Sequence, residues 1–127
     1  MNNFTIVRPE HLNHYGYLFG GVLLKWIDEN AWLVASRNFR DCTLVTIGMN
    51  DISFNEPVKS GSILRFNILM VKQGRTSATY SVKVFADEPG AKTEKLVFTT
   101  LITFVRIDQQ GQKIPLPEES TAFSAKD

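Results

Sequence analysis

The sequence predicts an α+β fold in which a strongly curved antiparallel β-sheet wraps around one long helix. Three observations carry that prediction. A long early stretch lacks Gly and Pro and is apolar around most of its circumference. The chain after it changes to a two-residue alternation, and the links between the alternating stretches are too short for crossover helices.

In chain order, Phe4 to Val7 reads as a short first strand. Val22 to Arg37 then spans about four helical turns. At about 100° per residue, Lys25, Glu29 and Ser36 share one narrow arc while Asn30 and Arg37 lie apart, so this helix is expected to be surrounded by other structure. Thr43 to Ser53 reads as a strand stopped before Pro57. Leu64, Phe66, Ile68 and Met70 alternate with Arg65 and Asn67, Gln73-Gly74 turns the chain, and Ala78, Tyr80, Val82 and Val84 resume the alternation as a long hairpin. Leu96 to Ile107 forms a last strand, rich in β-branched and aromatic residues and ended by Asp108-Gln109-Gln110-Gly111. The residues after Pro115 and Pro117, over 118–127, read as a loose tail on a single domain, 1–127. The edges of such a sheet invite pairing with a second copy, so at least a dimer is expected.

Composition narrows the function. The 127 residues hold 14 Lys+Arg against 13 Asp+Glu, a net +1 with the two signs interspersed, so nucleic acid is not the expected partner. Hydrophobic residues at 43% and aromatics at 11% argue against disorder. No apolar run approaches the ~18 residues of a membrane span, and Met1-Asn2-Asn3 does not begin a signal segment. A cytoplasmic protein without a membrane partner is the expectation. Cys42 is the single cysteine, which allows no internal disulfide, and with His11 and His14 it makes no zinc spacing; it reads as structural.

Four clusters carry chemistry. Asp28 lies on the helical wheel between Leu24, Ala31 and Ala35 on one side and Trp32 on the other, about 60° from Lys25. A carboxylate bordering an apolar face is costly unless used, and a general base or nucleophile is the use; an ion pair with Lys25 is the structural alternative. Gly20-Gly21 precedes the helix, where a glycine turn allows close approach and the free amides can hold an oxyanion, or where two glycines merely make the turn. His11, Asn13, His14 and Tyr15 crowd the loop before Gly16. Asn13 there can orient a water or a carbonyl, whereas surface roles suit both histidines. Lys72-Gln73-Gly74-Arg75-Thr76-Ser77 offers two cations, a glycine and two hydroxyls to phosphate groups, or forms an ordinary solvated turn. It lacks the setting of a nucleotide P-loop.

Arg8-Pro9-Glu10-His11-Leu12-Asn13-His14-Tyr15-Gly16-Tyr17-Leu18-Phe19-Gly20-Gly21, followed by Leu23-Leu24-Lys25-Trp26-Ile27-Asp28-Glu29, resembles the signature of hot-dog fold acyl-CoA thioesterases. Ser53-Phe54-Asn55-Glu56-Pro57-Val58, Gly61, Lys72 to Ser77, Thr103-Phe104-Val105, Ile107-Asp108 and Ile114-Pro115 follow in the family's order, so the likeness runs from Val7 to Pro117. It implies hydrolysis of an acyl-CoA thioester without metal or redox cofactor, coenzyme A entering only as part of substrate and product. It implies a homodimer joined edge to edge, with tetramers or hexamers beyond it, and two sites at the dimer interface. By position, Asp28 matches the catalytic carboxylate and Asn13 its polar partner from the opposite subunit. Gly20 and Gly21 match the turn whose amide holds the thioester carbonyl. Arg75, Thr76 and Ser77, with Lys72 and Gly74 beside them, match the segment that contacts coenzyme A, whose phosphates and pantetheine arm would lie across the strands near Phe54 and Pro57. Relatives carry smaller or polar residues where Tyr15, Trp26 and Trp32 stand, so these three are expected to narrow the acyl pocket.

Two alternatives keep the fold. A non-catalytic acyl-CoA sensor would use the same cleft, although relatives of that kind carry a DNA-binding segment for which this chain has no spare length. A hydroxyacyl-thioester dehydratase would want a histidine with its carboxylate in the cleft, and both histidines here precede the helix.

Overall fold

The computed structural model describes residues 1–118. Its elements are β1 (Asn2–Ile6), a 3-10 turn (Pro9–His11), α1 (Gly20–Asn38), β2 (Thr43–Phe54), β3 (Ile63–Gln73), β4 (Ser77–Asp87) and β5 (Lys95–Ile107). Every ladder is antiparallel, and the sheet order is β1-β3-β4-β5-β2.

The alternation read from the sequence sets the inner face. Leu64, Phe66 and Ile68 of β3 sit opposite Ala86, Val84 and Val82 of β4, and Val84, Tyr80 and Ala78 face Phe98, Ile102 and Phe104 of β5. All of these side chains are buried. They lie against Leu23, Ile27, Ala31, Val34 and Ala35, which recur every three or four residues along α1. Tyr80 ties the end of the helix down, its phenol donating to Asn38 Oδ1 at 2.7 Å. Burial holds that phenol above the ordinary tyrosine range.

Two expectations need correction here. The helix is not enclosed within one chain: Trp32 and Leu33 are 43% and 51% exposed. One sheet can cover only one side of a helix, so the remaining apolar strip stays open. Nor do hairpins join all the long strands. β2 lies at one edge of the sheet, and residues 55–62 carry the chain past β5 and β4 to β3. Three strand spacings make about 14 Å, which a short link spans without a helix. This link passes the start of α1, where the Leu18 amide donates to Val58 O at 2.8 Å and Tyr17 bridges to Lys59.

The chain after β5 is ordered up to the start of the expected tail. Asp108 Oδ1 accepts the amides of Gln110 and Gln112, both at 2.9 Å, reversing the chain so that Ile107 bridges to Lys113. Leu116 is then only 6% exposed, because its amide is bound to the hairpin between β3 and β4. Residues 119–127, which make up nearly all of the expected tail, lie outside the described residues.

Candidate active site

The helix N-terminus opens into an apolar cleft. Phe19 is the cap residue and contributes no side-chain bond; the Val22 and Leu23 amides donate to Phe19 O at 3.0 and 3.1 Å. Among the described residues the Gly20 and Gly21 amides, which precede them, have no acceptor. The cleft is about 560 Å³ and is lined by Asn13, Tyr15, Tyr17, Leu18, Gly20, Leu23 and residues 54–58. A Cβ on Gly20 would stand 3.4 Å from the Phe54 ring, which itself packs edge-on against Phe98. The ring thus lies over the helix start, at a distance where a Cβ would make an ordinary contact.

Asn13 is held rigidly by its own loop. Its Oδ1 accepts the Tyr15 and Tyr17 amides at 2.9 and 3.2 Å, and its backbone bonds Tyr17 and Gly16. The amide nitrogen Nδ2 is the end left for a ligand. His11 is structural: its Nδ1 accepts the Arg8 amide at 3.0 Å and its ring meets Trp26 edge-on at 4.7 Å. His14 packs on Tyr15. No histidine lines the cleft among the described residues. One charged side chain does: Glu56, 3.7 Å from Lys95, whose closer partner is Glu88 at 3.1 Å. The Glu88 hydrogen bond holds Lys95 above its ordinary range, so this cation stays charged.

Asp28 stands elsewhere. Eight residues of helix, about 12 Å, separate it from Gly20. It lines a second, more open cavity of about 370 Å³ with Glu29, Trp32, Leu33 and Thr46. Lys25 pairs with Glu29 at 3.9 Å, so the alternative ion pair with Asp28 is not made. Instead Thr46 Oγ1 donates to Asp28 Oδ1 at 2.6 Å. Thr46 follows Leu44 by two residues in β2 and so shares its helix-facing side, at a bulge before Gly48 that re-aims the strand. Thr46 is itself exposed, so nothing in the local pattern of β2 marks it, and only the folded chain shows its partner. Among the described residues no three His, Cys, Asp or Glu side chains group as metal ligands.

The hairpin tip is also apart from the cleft. Gly74, Arg75 and Thr76 link β3 to β4; a Cβ on Gly74 would meet Ser77 Oγ at 2.9 Å, a contact the serine hydroxyl relieves by rotating. The tip lies at the end of the sheet where β2 begins, whereas Phe54 and Pro57 lie at the end where β2 stops. By register Phe54 is level with Val84, seven residues along β4 from Ser77, so about 23 Å of strand separates it from the tip within one chain. The aromatic residues divide in the same way. Tyr15 lines the cleft, Trp32 donates its indole N–H to Leu44 O at 3.0 Å beside Asp28, and Trp26 packs toward β1 with Phe4, Ile6 and Arg8. Within one chain, neither tryptophan narrows the cleft.

Comparison with known proteins decides the family. Residues 15–93 match the model of the thioesterase superfamily. The chain belongs to that superfamily. Over 119 residues it is 33% identical to mouse acyl-coenzyme A thioesterase 11, a match covering 90% of this chain and 20% of the mouse protein. Over 111 residues it is 31% identical to an uncharacterized acyl-CoA thioester hydrolase of Bacillus subtilis, covering 87% of this chain and 64% of that protein. The crystal structure of a hexameric hotdog fold thioesterase from Campylobacter jejuni superposes with a TM-score of 0.81 at 31% identity, covering 91% of this chain and 89% of that one. The sheet and helix described above are this hot-dog fold. The chain thus spans about a fifth of the mouse relative and less than two thirds of the Bacillus one.

Proposed function

We propose that this protein hydrolyses acyl-CoA thioesters to the free carboxylic acid and coenzyme A, at sites shared between two copies of the chain. The observation that carries the reading is one helix with two chemical features: uncapped first-turn amides in an apolar cleft, and a carboxylate held by a threonine further along. The amide at Gly20-Gly21 takes the negative charge that develops on the thioester oxygen, reinforced by the positive end of the helix dipole. Asn13 Nδ2 positions the carbonyl or the attacking water. Asp28 removes a proton from that water as its oxygen joins the acyl carbon; the carbon–sulfur bond breaks and the thiolate leaves, to be reprotonated. Attack by Asp28 itself through a mixed anhydride is the other use of the same carboxylate.

The sharing between copies follows from distance and from the edge strand. β2 is long, carries one charge, Asp51, and exposes Val45, Ile47, Ile52 and Phe54. Such an edge pairs readily with a second strand. Two-fold antiparallel pairing of β2 with a second β2 sets the Phe54 end of one chain beside the Thr43 end of the other. That brings the second copy's Asp28–Thr46 pair and its hairpin tip toward the first copy's cleft, and it covers the exposed Trp32 and Leu33. Coenzyme A then runs from the cleft, past Phe54 and Pro57, to Lys72, Arg75, Thr76 and Ser77 of the second copy. The relatives named for acyl-CoA thioester hydrolysis, one thioesterase among them hexameric, support both the reaction and the assembly. With no histidine among the described residues lining the cleft, the dehydratase alternative has less support.

Thiol release from acyl-CoAs running from acetyl to palmitoyl, with aromatic thioesters included, tests the reading. The wild type is expected to show a chain-length optimum. Asp28→Ala is expected to lose about 10²- to 10⁴-fold in kcat while coenzyme A affinity is kept. Normal turnover in Asp28→Ala removes that residue from the mechanism, and no release from any substrate overturns the hydrolase.

A further inference from the structure

The segment after β5 is bound to the hairpin tip by contacts that the reaction itself does not require. The Leu116 amide donates to Arg75 O at 2.9 Å, and Gln73 Nε2 donates to Pro117 O at 2.7 Å. Behind them, Arg106 Nη1 donates to Pro115 O at 3.0 Å and the Arg106 amide to Thr76 O at 2.9 Å. The Leu116 side chain is buried, anchoring the segment in apolar contact. Between tip and segment lies a cavity of about 420 Å³, lined by Gln73, Gly74, Arg75, Pro115, Leu116 and Glu118. Among the described residues the Arg75 guanidinium has no hydrogen-bond or ion-pair partner, although its backbone is fixed on both sides. The main chain is thus held while the charged end is left available.

We propose that residues 114–117 are a strap that pre-organises Arg75 for the phosphates of the substrate, with Gln73 and Leu116 as positioning residues. The inference rests on the reading above that Arg75 contacts coenzyme A. An unstrapped two-strand hairpin tip samples many backbone states, and each must be frozen out when the phosphate binds. The strap removes that cost beforehand, so it acts on substrate affinity and leaves the bond-breaking step unchanged. It also acts only on substrates that carry the phosphates.

Gln73→Met deletes the donor to Pro117 O, and Leu116→Ala removes the buried anchor; neither changes charge. Both are compared with Arg75→Ala on an acyl-CoA and on the matching acyl-pantetheine, which lacks the phosphorylated nucleotide. In each strap variant KM for the acyl-CoA is expected to rise about fivefold, a change of about 1 kcal/mol. Both kcat and the KM for acyl-pantetheine are expected to stay at wild-type values. Melting curves identify a Leu116→Ala chain that has lost its fold, and Gln73→Met, at an exposed hydrogen bond, then decides alone. Unchanged KM for acyl-CoA in Gln73→Met, with a raised KM in Arg75→Ala, overturns the strap and leaves Arg75 on coenzyme A. Unchanged KM in Arg75→Ala overturns that placement and the strap with it. Calorimetric coenzyme A affinity, expected to fall in the same variants, reads the contact separately from hydrolysis, so a protein that releases no thiol still tests it.

Discussion

The cleft at the start of α1 and the cavity around Asp28 lie on one helix and are built differently. The cleft is closed by the chain's own backbone: Asn13 is pinned by two amides, Leu18 is bonded to Val58, and the Phe54 ring lies over Gly20. The Asp28 cavity has a floor, formed by Thr46 and Trp32, and exposed apolar residues where a further wall would stand. Its strand, β2, is a sheet edge, whereas the cleft is crossed by the link from β2 to β3. In the proposed mechanism, the half of the site that holds the carbonyl is organised by folding alone, while the half that supplies the base depends on association, which would tie activity to assembly.

The largest test of that difference mixes two inactive chains. Asn13→Ala and Asp28→Ala homodimers are each expected to be at least about 10²-fold slow. Unfolded and refolded together, they are expected to recover about a quarter of wild-type turnover, because half of the dimers are mixed and each mixed dimer regains one intact site of two. No recovery in the mixture breaks the comparison by placing both residues in one chain's site. Next in size is Ile47→Lys, a charge on the exposed β2 edge. Light scattering is expected to report a smaller assembly, with turnover falling in step with the fraction dissociated. Turnover that survives in a monomer removes the dependence on assembly.

Thr46→Val sharpens the comparison at smaller scale. It deletes the 2.6 Å bond that orients Asp28 and is expected to lower kcat about tenfold with KM unchanged, the value of a hydrogen bond to a charged group. The smallest effect belongs to Tyr80→Phe, distant from both cavities. Turnover is expected to be unaffected while stability falls by about 1 kcal/mol, the cost of the lost bond to Asn38. The pH dependence has a definite sign. Burial raises the Tyr80 phenol above its ordinary 10.0, so the unfolded chain loses this proton first as pH rises past that value. Wild-type stability is expected to be intact below that pH and to decline above it, and Tyr80→Phe is expected to lack this part of the decline in alkaline melting curves.

Much of the fold was legible before any coordinates. Leu64, Phe66, Ile68, Ala78, Tyr80, Val82 and Val84 alternate because strand geometry turns every second side chain inward, and all are buried. The helix predicted from Val22 to Arg37 extends over Gly20–Asn38, since its glycines begin the first turn rather than precede it. The site was legible in part. Asp28 stood out because a carboxylate beside an apolar helix face needs a reason, and Gly20-Gly21 because a helix start there has free amides. Thr46 was passed over, because in a strand that exposes most of its residues one threonine carries no signal until its partner is known. The packing of residues 115–117 is not legible locally, because only the hairpin tip they meet gives them structure.

By itself, the sequence determined what depends on neighbours along the chain: the helix, the strand periodicities, the turn at Gly74, and the candidates proposed here for a base and an oxyanion turn on one helix. Tertiary structure decided what depends on pairing at a distance. It set β2 beside β5 rather than β3, gave Asp28 its threonine, and put the Arg75 tip at the opposite end of the sheet from Phe54. The physical reason is that side-chain alternation specifies which face of a strand is buried and says nothing about which strand lies next to it.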